Sequence, residues 1–302
     1  MNKRPPSLVA GDRIRIVAPA KAVDQRHVDF ARNYLTEKGF EVVVSTHCTG
    51  RSHYFSGTLS ERLEDFQEAI NDTETKAILC ARGGYGCVQL IDRLEWAGMI
   101  RFPKWIIGFS DVTYLHQRLH QIGMQSIHGT MPLNFASNSS ESLETLLDAL
   151  QGREYTIQTP ASAFNKTGAA QGILTGGNLS IVYANLGTPD QINSEGTILF
   201  LEEVGEPLYS IDRMFHALRR TGILSSIRGL IVGGMTDIND SEVSFGSCLE
   251  EMISSHFTYR SIPIAFGVPA GHLEDNRALN LGANVQFDVD KTGAKISFTP
   301  DK

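Results

Sequence analysis

The sequence predicts an α/β fold: a doubly wound parallel sheet in the N-terminal half and a smaller, mixed α/β unit behind it. Three observations carry this. Short β-branched runs alternate with segments of helical period up to about residue 122. The alternation then dissolves into a stretch of small polar residues, TPASAFNKTGAAQG, between Glu154 and Gly172. Beyond it, apolar runs resume with Gly and Pro punctuation. At 302 residues the chain exceeds the common single-domain size, which favours two domains sharing a cleft.

The elements follow in order. Arg13 to Ala18 (RIRIVA) comes after a Gly-Asp turn and reads as a strand, and Val23 to Lys38 repeats its apolar residues at helical spacing. The pattern continues with strand Glu41 to Ser45, helix Ser60 to Asn71, strand Ala77 to Ala81 and helix Gly86 to Glu95. Strand Trp105 to Gly108 and helix Val112 to Ile122 complete the series. Strands separated by helices imply parallel βαβ units. Residues 1–153 are therefore expected to form one α/β domain, 154–172 a linker, and 173–302 a second domain. In the second, Thr197 to Glu202 and Gly229 to Gly233 read as strands, and Tyr209 to Thr221 and Leu249 to His256 as helices.

Composition narrows the function classes. With 41% apolar and 20% charged residues the chain can build a packed core. Its net charge of -7 comes without a basic stripe, so nucleic acid is not an expected partner. The N-terminus has no signal-type apolar stretch and no segment reaches the roughly 18 apolar residues of a membrane span, so a cytoplasmic protein without membrane association is expected. Four cysteines, Cys48, Cys80, Cys87 and Cys248, show neither CxxC nor Cys/His clustering, and read as reduced thiols rather than zinc ligands or disulfides.

Four stretches can carry chemistry. The apolar strand at 105–108 runs into Gly108-Phe109-Ser110-Asp111 and then a helix, as in a nucleophile elbow, although Val112 stands where such elbows carry a second glycine. The alternative is that Ser110 simply caps the following helix. Arg82-Gly83-Gly84-Tyr85-Gly86 follows another strand, where glycines let backbone N–H groups approach an oxyanion or a phosphate; an ordinary tight turn is the plainer reading. The third stretch, Ile198 to Glu206, is an apolar strand ending in acidic residues. Strand alternation sends Glu202 and Glu203 to opposite faces, so one at most orients a histidine, unless both merely face water. The fourth, Val268 to His272, offers one loop histidine among nine.

Taken together these residues resemble the LD-carboxypeptidase family of serine peptidases, which includes muramoyltetrapeptide carboxypeptidases and microcin C immunity peptidases. The resemblance rests on RGGYG at 82–86, GFSD at 108–111, TGGNLS at 175–180, NLGTP at 185–189, LEEVGEPLYSIDRM at 201–214 and GH at 271–272, and runs from the GDRIRIVAPA opening to RALNLGANVQFD. It implies a Rossmann-like or flavodoxin-like N-terminal domain joined to a smaller C-terminal α/β domain, often in a homodimer. It also implies Ser110 as nucleophile, His272 as general base and Glu202 as the acid of the triad. Backbone N–H groups of Gly84 and Asp111 would form the oxyanion hole. Arg82 is a candidate for binding the substrate's terminal carboxylate. The chemistry so implied needs no metal and no cofactor. The expected reaction is release of terminal D-alanine from a murein tetrapeptide. The rivals are cleavage of a peptidyl or aminoacyl nucleotide, as in the microcin-type relatives, and a non-catalytic nucleotide-binding module built on the glycine loop.

Overall fold

The computed structural model describes residues 2–240 and 242–299. The first half alternates as expected. Strands β1 (Arg13–Val17), β2 (Glu41–Val44), β3 (Thr75–Cys80), β4 (Trp105–Gly108) and β5 (Ser126–His128) are interleaved with helices α1 (Gln25–Glu37), α2 (Leu59–Asn71), α3 (Ala97–Arg101) and α4 (Thr113–Gln121), and α5 (Ser140–Gln151) follows β5. Local signals set the boundaries: α2 opens on a capping box between Thr58 and Glu61, and α5 opens on Ser139 and ends at Gly152, whose φ of 69° is left-handed. The five strands pair in parallel in the order β5-β4-β3-β1-β2.

The second half comprises β6 (Tyr155–Pro160), β7 (Gly168–Asn178), α6 (Leu179–Ala184), β8 (Ile198–Val204), α7 (Leu208–Arg220), α8 (Ile223–Ser226), β9 (Gly229–Thr236), α9 (Leu249–Ser255), β10 (Ile264–Ala265), β11 (Leu279–Leu281), β12 (Asn284–Asp290) and β13 (Gly293–Phe298). Seven of these strands form one mixed sheet, ordered β10-β9-β8-β7-β12-β13-β6. The molecule is thus a two-domain α/β protein built on two sheets.

Three expectations meet a different outcome. Residues 154–172 hold β6 and the start of β7, because Tyr155, Ile157 and Thr159 alternate buried with exposed neighbours and pair with β13; between the two strands, 161–167 is irregular apart from a bridge between Lys166 and Ile264. Strand β11, expected in the second unit, returns to the first sheet, where it pairs antiparallel with β5 and buries Leu279 and Leu281. The helix expected over Gly86 to Glu95 is only a 3₁₀ turn, Cys87–Gln89, followed by turns. Its start is held by other groups: the Asp111 carboxylate accepts from the Cys87 N–H at 2.8 Å and the Arg62 guanidinium donates to the Gly86 carbonyl.

Side-chain parity explains how the two sheets meet. Ile107 and Leu79 from the first sheet and Ile198, Phe200 and Ile231 from the second share one buried cluster between the sheets. The alternate residues face outward: Ile106 and Ile78 pack under α2 and α4, and Leu199 and Leu201 pack under α6 and α7. Along β8, Ile198 and Phe200 therefore face the first sheet. Position 202 has the same parity.

Candidate active site

Ser110 follows β4 on a sharp turn. Its φ of 63° is left-handed, uncommon for a residue with a side chain, and costs on the order of 1–3 kcal/mol that the surroundings must offset. Gly108 makes the turn possible: a Cβ there would lie 2.9 and 3.0 Å from the two methyls of Val112 and 3.2 Å from Cys80 Cβ. Val112 therefore packs where a second glycine stands in other elbows. The helix-capping reading of Ser110 does not hold. The 3₁₀ turn Ser110–Val112 begins after Phe109, and neither it nor α4 receives a side-chain cap.

The glycine loop lies against this turn. A Cβ on Gly83 would sit 3.2 Å from Ser110 Oγ and 3.3 Å from the Asp111 nitrogen, so the backbone passes as close to the serine as glycine permits. Gly84 has φ 106°, and among the described residues its N–H has no partner. Asp111 is 1% exposed, and beyond its bond to Cys87 N–H one carboxylate oxygen has no partner; burial pushes its carboxyl above the usual range. The Arg82 guanidinium donates to the Ala22 carbonyl at 3.0 Å and lines an open cavity of about 520 Å³ with Arg26, His27 and Arg51. Arg82 forms no ion pair among the described residues.

Across the domain junction, Glu202 and His272 meet. His272 Nδ1 donates to Glu202 Oε2 at 2.7 Å, and the Glu202 side chain is fully buried while that of His272 is 23% exposed. Burial alone would lower the imidazole pKa, but the bond to Glu202 and the charges of Glu202 and Glu203 outweigh it, and the net shift is upward. The pair depends on Gly271, whose φ is 113° and whose Cβ would lie 2.7 Å from both Cβ and Oε2 of Glu202. Glu203 points the other way, accepting from Ser180 N–H at 2.7 Å, Asn178 Nδ2 at 3.1 Å and Val204 N–H at 2.9 Å, and so anchors the start of α6.

The His272 and Phe109 rings meet edge to face, with centroids 4.9 Å apart, so the residue before the serine touches the histidine. Among the described residues no hydrogen bond joins His272 to Ser110. Behind Phe109 stand His128 and His116, both fully buried. His116 donates from Nε2 to the Gly108 carbonyl at 2.8 Å and accepts from Ser126 Oγ at 2.8 Å, a neutral tautomer that props the turn under Ser110.

Sequence reasoning gave no physical role to the groups that join the halves. Thr113 Oγ1 accepts from Asn178 N–H at 3.1 Å, and a Cβ on Gly177 would lie 2.6 Å from that hydroxyl oxygen. Gly176 passes so close to β8 that a Cβ would lie 1.8 Å from the Phe200 carbonyl oxygen. Arg118 clamps Asp190 with two bonds of 2.5 and 2.8 Å, and Asn185 donates to Gln117. These contacts give TGGNLS and NLGTPD a physical role: they weld β7 and the loop after α6 to α4, the helix that follows Ser110. Glycine pairs in a strand were the available signal of close approach.

Comparison with known proteins agrees with this architecture. Residues 14–129 match the family model described as the LD-carboxypeptidase N-terminal domain, and residues 171–287 match the LD-carboxypeptidase C-terminal domain. A Bacillus subtilis protein named "Probable murein peptide carboxypeptidase" is 31% identical over 98% of this chain and 95% of its own length. The murein tetrapeptide carboxypeptidase of Pseudomonas aeruginosa is 30% identical over 89% of this chain and 91% of its own length. Among solved structures, muramoyltetrapeptide carboxypeptidase from Oxalobacter formigenes superposes with a TM-score of 0.87 at 26% identity, covering 96% of this chain and all of that one.

Proposed function

The chain belongs to the LD-carboxypeptidase family, and from that premise we propose that it is a cytoplasmic serine carboxypeptidase that releases terminal D-alanine from murein tetrapeptide during cell-wall recycling. The observation that carries the reading is the buried Glu202–His272 pair at 2.7 Å, brought against the Phe109-Ser110 turn by the meeting of two sheets.

In the proposed reaction Ser110 Oγ attacks the carbonyl carbon of the bond between meso-diaminopimelate and D-alanine. The hydroxyl proton passes to His272 Nε2, which forms its bond to Oγ once substrate is bound. Glu202 holds the Nδ1–H tautomer and stabilises the imidazolium. The oxyanion is received by the N–H groups of Gly84 and Asp111, beside which Gly83 leaves room. His272 then protonates the departing amine, D-alanine leaves, and water, deprotonated by the same imidazole, hydrolyses the acyl-enzyme. The Arg82 guanidinium takes the terminal carboxylate. The serine comes from residues 1–153 and its partners from 173–302, so turnover depends on the packing of the two domains. Assembly as a homodimer is part of the proposal, and light scattering on the eluting protein tests it.

Purified protein incubated with murein tetrapeptide is expected to release D-alanine. Ser110→Ala is expected to lower kcat by about 10⁶ while circular dichroism stays unchanged. Activity within about tenfold of wild type would remove Ser110 from the role. Hydrolysis of an aminoacyl-sulfamoyl adenosine in preference to the tetrapeptide would transfer the assignment to the nucleotide-peptide reading. No turnover of either, with nucleotide binding retained in Ser110→Ala, would favour the binding module.

A further inference from the structure

We propose that Asp212, His216 and His256 bind a divalent transition-metal cation of the zinc type, which staples the end of α9 to α7. Asp212 and His216 are four residues apart on α7, so they share one face, and His256 is the residue that caps α9. His216 Nε2 lies 3.6 Å from Asp212 Oδ2, and His256 Nε2 lies 3.4 Å from Asp212 Oδ1. One ligand atom from each of the three falls within 4.8 Å of the others. Tetrahedral zinc with bonds of about 2.0–2.1 Å separates its ligand atoms by roughly 3.3 Å, which each histidine already approaches to one oxygen of the Asp212 carboxylate, His216 to Oδ2 and His256 to Oδ1. What remains is a small rotation of His216, whose side chain is 46% exposed.

His256 supplies an independent observation. Its side chain is only 2% exposed, yet among the described residues neither ring nitrogen has a hydrogen-bond partner. The Asp212 carboxylate stands 3.4 Å from Nε2; a buried polar group left without a hydrogen bond costs about 1–3 kcal/mol, and a cation held between Nε2 and that carboxylate would satisfy this nitrogen. Neutral imidazole and carboxylate are the donors zinc takes, and the exposed side of the cluster leaves a fourth position for water. Arg219 donates to His216 Nδ1 at 3.3 Å. Ligation at Nε2 moves the ring proton to Nδ1, so the exposed Arg219 side chain swings away into solvent. None of these residues belongs to the proposed catalytic group, and the cluster lies in the helical layer rather than at the strand ends that carry Glu202.

The test uses the full chain without an affinity tag, stripped by chelator and titrated with Zn²⁺ by calorimetry, with Co²⁺ absorption as a second probe. Wild type is expected to bind one cation per chain and to gain thermal stability. Loss of an outer-shell partner typically weakens metal sites 10–100-fold, so His216→Ala and Asp212→Ala, which each remove a ligand, are expected to weaken binding by more than about 100-fold. D-Alanine release by His216→Ala is expected to stay normal. Absence of saturable binding in wild type would overturn the proposal, as would wild-type affinity in both variants. So would loss of binding in His47→Ala instead, since His47 lies 3.8 and 3.7 Å from Glu61 and Glu64.

Discussion

Replacing Glu202 and Glu203 one at a time with glutamine separates two adjacent, buried carboxylates whose surroundings differ. Glu202 Oε2 accepts from His272 Nδ1 at 2.7 Å and its side chain is fully excluded from water. A glutamine amide is able to turn its NH₂ toward Nδ1, which then accepts; the ring proton moves to Nε2, the nitrogen that must receive the serine's proton. The same change removes the charge that stabilises the imidazolium. The analogous substitution in a chymotrypsin-type triad costs about 10⁴ in kcat, or about 5 kcal/mol of transition-state stabilisation, and a loss of that order is expected in Glu202→Gln. Glu203 makes two hydrogen bonds at the start of α6, a third to the Val204 N–H of its own strand, and none to His272. Glu203→Gln is therefore expected to lower unfolding stability by about 1.5–3 kcal/mol, the usual worth of a hydrogen bond to a charged group, with kcat within about tenfold of wild type. Both variants would be assayed for D-alanine release at one pH, alongside urea unfolding. A severe kinetic loss in Glu203→Gln with near-normal turnover in Glu202→Gln would refute the assignment.

Three further outcomes are expected. Because His272 titrates above the ordinary imidazole range and must be neutral to act as base, kcat/KM should rise with pH through a midpoint above about 6.5. An NMR titration of the imidazole should move downward in Glu202→Gln, and an unmoved titration would show that Glu202 does not set it. Gly271→Ala should push Glu202 away from the histidine, because the new Cβ would lie 2.7 Å from Oε2; misplacement on that scale costs about 10²-fold in rate, and near-wild-type turnover in a folded variant would contradict the geometry. Burial lowers the pKa of His116 to about 4, against its bond to the Gly108 carbonyl, so the unfolded chain takes up this proton first on acidification. That contribution is complete above about pH 6.5 and is lost as pH falls toward 4, amounting to about 3 kcal/mol. Urea unfolding across this range should show a shallower loss in His116→Gln, and an identical slope would exclude the residue.

Much of the architecture is local in origin and could be read from the chain alone. β-Branched runs alternating with helical-period segments predicted the parallel sheet, and the tight Gly108-Phe109-Ser110 turn follows from residues within four positions of one another. Periodicity also indicated that Glu202 and Glu203 must part. It could not say which face of β8 would meet the first sheet. That depended on packing: Ile198 and Phe200 share a core with Ile107 and Leu79, so position 202 faces inward toward His272, seventy residues away along the chain. The same non-local cause returns β11 to the first sheet and makes β6 and β7 from a stretch that reads as a linker, since their pairing partners lie more than a hundred residues away. The Asp212, His216 and His256 cluster is of this kind too. Its two α7 members sit one helical turn apart, but nothing in the chain's spacing announces the third, which the packing of α9 on α7 carries to them.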